Sequence, residues 1–153
     1  MGAANPVDIR NWQRRDNNLT TSGRLLPSDP ARLAAIGVRN VVNLALDDHP
    51  EALANEANLL AAHGIRYVHM PVPFDAPTLA HFEELKTVLS AVDGPTHVHC
   101  IMNFRVSAFL YLRERQIGVP HGEAHARMAE IWDPLTSEWP PAAPWRALIE
   151  PFV

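Results

Sequence analysis

The chain has 153 residues, enough for one domain to bury a core without help from disulfides or metals. Hydrophobic residues make up 47% and charged residues 20%, an ordinary globular composition, and a formal charge of −4 lends no support to broad electrostatic binding of nucleic acid or anionic membrane. The single cysteine excludes an internal disulfide framework and a thiolate-rich zinc site, and it suits a reducing compartment.

In chain order, the N-terminal stretch MGAANPVDIRNWQRRD is polar and holds no apolar segment resembling a secretory leader. Gly2 could suggest acylation, but Pro6 stands where that signal wants Ser or Thr. No run approaches the roughly 18 apolar residues of a membrane span, so a cytoplasmic protein is expected. Residues 1–17 are expected to form a flexible arm and residues 18–153 a single domain without repeats. Nothing in the sequence sets an oligomeric state.

A short strand is expected within Asn18 to Leu26, ending at the turn Pro27-Ser28-Asp29-Pro30. A helix follows over about Ala31 to Ile36, stopped by Gly37. Val38 to Leu44 is β-branched and apolar, as a buried strand would be. Pro50 opens a helix running to about Ala62, with Leu53, Ala57, Leu60 and Ala61 on its apolar face and Gly64 as its stop. Ile65 to Met70 alternates like a second strand, and Pro71 to Pro77 is too rich in proline for either regular element. A helix over Thr78 to about Val92, a strand over Thr96 to Cys100 and a helix over Val106 to about Ile117 come next. Pro120 begins a further helix ending near Trp132, and a short helix lies around Trp145 to Ile149. Strands and helices alternating in this way imply an α/β fold with a mainly parallel central sheet and helices on both faces.

Chemistry concentrates where the strand ending at Cys100 hands over to the next helix. Ligands of open α/β sheets sit beyond the carboxyl ends of strands. The amides of Ile101, Met102, Asn103 and Phe104 open a helix there, which makes a ready anion nest. The same positive end favours thiolate over thiol at Cys100, and Arg105 adds a planar fork able to hold two phosphate oxygens. A thiolate so placed can attack phosphorus, and a carboxylic acid on a nearby loop can protonate the leaving oxygen. Asp75, in the proline-rich loop after the preceding strand, is the candidate acid.

His99-Cys100 followed by Arg105 resembles the signature loop of the protein tyrosine and dual-specificity phosphatases, HCxxGxxR followed by Ser or Thr. Thr21-Ser22-Gly23, Val41-Val42-Asn43-Leu44 and Met70-Pro71-Val72 agree with bacterial members of that superfamily, so the likeness runs over about two thirds of the chain. The resemblance implies a dual-specificity-phosphatase-like fold, a phosphorylated protein or small molecule as partner, and no metal or other cofactor. It implies roles for Cys100 as nucleophile, Arg105 as phosphate clamp and Asp75 as general acid, with His99 and Ser107 in support.

One departure stands out. The family places five residues between Cys and Arg, and this chain places four, Ile-Met-Asn-Phe. Moving Arg by one position turns it by about 100° around a helix axis. Read without a gap, Asn103 falls at the family's glycine position and Ser107 at its hydroxyl position, while Val106 replaces Arg; with Arg105 as the clamp, Asn103 is expected to take a left-handed or otherwise strained backbone. Two functions stay open on this loop: a hydrolase working through cysteinyl-phosphate, or a catalytically silent phosphate- or phosphoprotein-binding module.

Blander roles stand beside these. Cys100 could be a small core residue, Arg105 could pair with a carboxylate, and Asp75 could simply form a turn. His97 and His99 share a strand face, and His121 and His125 lie four apart on a helix, spacings also used by metal ligands. Neither pair brings a third ligand. Trp132, Trp139 and Trp145, with prolines among them, are expected to pack as a tail over the core.

Overall fold

The computed structural model describes residues 3–153; Met1 and Gly2, which begin the expected arm, lie outside the described residues. Five strands form one sheet: β1 (Gln13–Asp16), β2 (Leu19–Ser22), β3 (Asn40–Asn43), β4 (Arg66–His69) and β5 (Thr96–His99), in the order β1-β2-β5-β3-β4. Only the β1–β2 pair is antiparallel. The helices are α1 (Asp29–Ala35), α2 (Glu56–Ala61), α3 (Leu79–Ala91), α4 (Phe104–Gln116), α5 (His121–Ala129) and α6 (Ala143–Ile149). None of them is long and apolar enough to cross a membrane.

Alternation along the strands separates two cores. Val41 belongs to a cluster with Leu33 of α1 and Leu60 of α2, while its neighbour Val42 packs with Phe82 of α3 and Phe109 of α4. Successive side chains of a strand point to opposite faces, so α1 and α2 cover one face and α3 to α6 the other. The expected α/β fold, with helices on both faces of a mainly parallel sheet, is what forms.

Two expected elements differ. Residues 13–16, expected within a flexible arm, form the edge strand β1, in register with Thr20 and Thr21 of β2. Their own residues, Gln-Arg-Arg-Asp, carry little strand preference; pairing with β2 makes the strand. The helix expected from Pro50 begins only at Glu56, after Asn55 takes a left-handed conformation at φ 57°. Its buried face carries Glu56 and Leu60, whereas Ala57 and Ala61 are exposed. Residues 48–54 are turns instead, and Glu51 among them pairs with Arg10 at 2.7 Å and Arg24 at 3.5 Å.

Trp132 and Trp145 of the aromatic tail pack over the core as expected, whereas Trp139 is 49% exposed. Trp145 is fully buried and meets Phe109 edge to face at 5.1 Å between ring centroids. Its indole N–H donates to the Phe74 carbonyl at 2.7 Å, while that of Trp132 donates to the Phe104 carbonyl at 2.9 Å. The tail therefore holds two loops at once, the proline-rich one and the one that follows β5.

Candidate active site

β5 ends at His99 and α4 starts at Phe104, so the turn between them is Cys100 to Asn103. Asn103 has φ 68° and ψ 5°, the left-handed conformation expected with the short spacing. Its side-chain amide donates to the Asn11 carbonyl at 2.8 Å and to Thr21 Oγ1 at 3.0 Å, and Asn11 Nδ2 donates in return to the Met102 carbonyl at 2.8 Å. The Ile101 carbonyl accepts from the Arg24 amide at 2.9 Å. These contacts draw the loop's carbonyls outward, toward β2 and the segment before β1. Among the described residues no backbone carbonyl accepts from the amides of Ile101 through Val106. A helix start always leaves its first amides free; here the preceding turn adds those of Ile101 and Met102.

Gly23 is part of this arrangement for want of space. A Cβ built there would lie 2.5 Å from the Ile101 carbonyl oxygen and 3.0 Å from Arg10 Cδ. The backbone oxygen cannot swing aside as a side chain can. Gly23→Ala is expected to cost about 1–3 kcal/mol, as overpacking does, and to weaken binding of inorganic phosphate. Thermal melts and phosphate titration of the variant check this; an unchanged affinity would mean that the loop tolerates displacement.

Arg105 is 6% exposed, and among the described residues no carboxylate lies within ion-pair distance of it. Its Nη1 donates to the Val72 carbonyl at 2.9 Å, its guanidinium carbon lies 5.6 Å from the centre of the Phe74 ring, and its buried Nε has no acceptor. Burying a guanidinium without a counterion is costly. A cation–π contact offsets only part of that cost. The salt-bridge alternative for Arg105 is thereby removed.

Cys100 and Arg105 both line a cavity of about 480 Å³. Its walls are Leu46, Asp48, His49 and Pro50 after β3, Phe74 from the proline-rich loop, Ile101, Met102 and Phe104, and Trp139 from the tail. Cys100 lines the cavity but is itself buried. Asp75 is exposed and is not among the lining residues, although Phe74 beside it is. Asp48 lines the cavity, and no motif in the sequence marks it.

The remaining candidates separate. Ser107 is buried with Oγ 3.5 Å from the Met128 carbonyl, facing α5 rather than the cavity. His97 places its two ring nitrogens 2.8 Å from Thr20 Oγ1 and 2.7 Å from Ser22 Oγ. Burial, and secondarily the neighbouring His99, hold His97 well below its ordinary pKa. His99 lies 2.6 Å from Glu56 and 3.1 Å from the Cys100 carbonyl. Both nitrogens of each ring thus face protein partners. His121 and His125 stack at 5.2 Å, bonded to Tyr111 and Asp133 respectively. Among the described residues no group of three or more His, Cys, Asp or Glu side chains is placed to hold a metal.

Residues 12–114, which contain the whole sheet and nearly all of α4, match the family described as beta-lactamase hydrolase-like protein, phosphatase-like domain. The chain belongs to this family. No curated protein matches it in sequence. Among solved structures, a candidate phosphatase of the DUF442 group from Shewanella putrefaciens CN-32 superposes on this phosphatase-like domain with a TM-score of 0.79 at 28% identity, covering 97% of this chain and 94% of that one. TpbA of P. aeruginosa, as a Cys-to-Ser variant in complex with pTyr, superposes at 0.71 with 19% identity over 96% of this chain and 86% of its own. PTPMT1 in complex with PI(5)P gives 0.64 at 17% over 92% and 96%. At the last two identities the likeness is one of fold. The phosphatase-like domain has the dual-specificity-phosphatase type of α/β architecture.

Proposed function

We propose that this phosphatase-like domain is a phosphomonoester hydrolase of the protein tyrosine and dual-specificity type, working through a cysteinyl-phosphate at Cys100. The observation that carries the proposal is Arg105: a buried guanidinium with no carboxylate partner, sharing one cavity with the thiol and with a run of amides that no backbone carbonyl uses. Such a set is completed by an oxyanion. In the first step the Cys100 sulfur attacks phosphorus, the P–O bond to the leaving group breaks, and a carboxylic acid gives that oxygen its proton. Water then attacks the phosphocysteine, releasing inorganic phosphate and the thiolate. A working thiolate needs reducing surroundings, so a cytosolic setting belongs to the proposal.

The walls favour a singly phosphorylated group on an aromatic or apolar carrier. Phe74, Phe104 and Trp139 supply three rings, and Arg105 is the sole Lys or Arg among the lining residues, with Asp48 opposing further negative charge. A polyphosphorylated ligand would find one fixed cation. Phosphotyrosine, which TpbA holds in its complex, fits that description.

The test is turnover of an aryl phosphate with and without chelator, combined with acid quenching to trap phosphocysteine. Chelator-resistant turnover with a labelled Cys100 supports the proposal. Phosphate binding without turnover favours a silent binding module. Loss of turnover on chelation favours metal-dependent chemistry.

Two carboxylates are proposed for the proton: Asp75, on the loop that carries Phe74, and Asp48, on the cavity wall. Asn replacement of the true donor is expected to slow alkyl phosphates by ~10²–10⁴, and substrates with an acidic leaving group far less. Measuring both variants on both substrate types identifies the donor. Equal losses on the two substrates would make that Asp structural.

A further inference from the structure

We propose that Glu56 is a positioning residue that keeps His99 doubly protonated and so holds Cys100 as a thiolate. The inference rests on the reading of Cys100 as an ionised nucleophile and adds a residue that no motif points to.

The geometry begins with strand alternation. His97 and His99 of β5 face α1 and α2, while Cys100, one residue later, packs in the opposite core. On the α2 side, His99 Nε2 lies 2.6 Å from Glu56 Oε2, and both side chains are buried. On the other edge of the ring, Nδ1 lies 3.1 Å from the Cys100 carbonyl oxygen. A carbonyl can only accept, so Nδ1 carries a hydrogen. The contact with Glu56 needs one further proton, on either the ring or the carboxyl. Placed on the ring, it leaves Glu56 as a carboxylate facing the imidazolium, and His99 then donates at both nitrogens.

The surrounding groups are consistent with that charge. His97, stacked on His99 at 6.2 Å between centroids, takes up the hydroxyls of Thr20 and Ser22 and stays neutral. Tyr67 of β4 donates nothing to Glu56; its phenol accepts from Asn43 Nδ2 at 3.1 Å, and burial with the Glu56 charge behind it pushes its pKa up to about 12. Arg105 of α4 lines the cavity together with Cys100, whereas Glu56 is not among the lining residues. Among the described residues Glu56 has no ion-pair partner other than His99. The positive end of the pair thus lies against the peptide of Cys100, where it favours the thiolate.

The chain has a single cysteine, so thiolate absorbance near 240 nm, titrated against pH with Cys100→Ser as blank, reports this sulfur alone. The expected result is a thiol pKa about one unit higher in Glu56→Gln than in the wild type, with the difference partly restored in Glu56→Asp. Nitrogen-15 NMR of the wild-type ring should show His99 still cationic at neutral pH, which keeps the proposal testable if Glu56→Gln fails to fold. A neutral His99 in the wild type, or a thiol pKa unchanged in a folded Glu56→Gln, overturns it. Neither readout depends on turnover: an enzyme inactive on every phosphate tested, yet with a Glu56-dependent thiolate, would sink the hydrolase proposal and leave this one standing.

Discussion

Replacing Cys100 with serine is expected to bring turnover down to the uncatalysed background while inorganic phosphate still binds. The sulfur supplies the nucleophile, and a serine hydroxyl at its ordinary pKa, with no base beside it, does not replace a thiolate. The oxyanion is held by other groups: the amides from Ile101 onward and the Arg105 guanidinium. Calorimetric titration with phosphate, alongside steady-state hydrolysis of an aryl phosphate, checks both halves. Retained hydrolysis in the variant would end the covalent mechanism. Lost phosphate binding would mean that Cys100 shapes the loop more than it reacts, in keeping with its place in the core.

Arg105→Lys is expected to lose most of the activity and most of the phosphate affinity although the charge is kept. An ammonium cannot make a two-pronged contact with phosphate, and its shorter, pointed reach forfeits the contact over the Phe74 ring and the bond to the Val72 carbonyl. Losses of this kind typically exceed the ~1.5–3 kcal/mol of a single charge-assisted hydrogen bond. Inserting one glycine after Phe104, which restores the five-residue spacing, is expected to impair the protein as well. Asn103 already supplies the left-handed residue at the start of α4, tied to Asn11 and Thr21. An extra residue would turn Arg105 by about 100° away from the cavity. Phosphate affinity and turnover for both variants check this. Normal behaviour of Arg105→Lys would remove Arg105 as clamp, and a gain from the insertion would make the short loop a degenerate form.

Much of the site was legible along the chain because its parts are local. A short strand ending at His99, a turn that begins with Cys100 and a helix follow one another without a break, and their order puts thiol, amides and guanidinium within a few residues. The conformation of Asn103 could be expected for the same reason, since backbone sterics in a short turn leave few choices. Asp75 was readable only as a carboxylate on the right loop. Its exposure depends on how Phe74 is drawn in by Trp132, Trp139 and Trp145, which the sequence 71–77 does not contain.

The elements that were missed have partners far along the chain. β1 is a strand because β2 offers it a free edge. The first turn of the helix expected from Pro50 does not form, because Glu51 is held by Arg10 and Arg24 and Asn55 reverses the backbone. An acidic residue on a short helix looks solvent-facing by default, yet Glu56 is buried against a histidine 43 positions away. Asp48 joins the cavity wall for a similar reason, through turns that no periodicity describes.

By itself the sequence determined the α/β order of elements, the strand-to-helix turn that carries Cys100 and Arg105, and the residue of that turn, Asn103, expected to be left-handed or otherwise strained. Each of these follows from side-chain pattern and local backbone sterics. Only the tertiary structure decided that Arg105 has no carboxylate partner, that Asp48 rather than Asp75 lines the cavity, and that Glu56 meets His99. Those outcomes depend on desolvation and on contacts between distant segments, where the energy of a charge is set by what packs around it rather than by its neighbours in the chain.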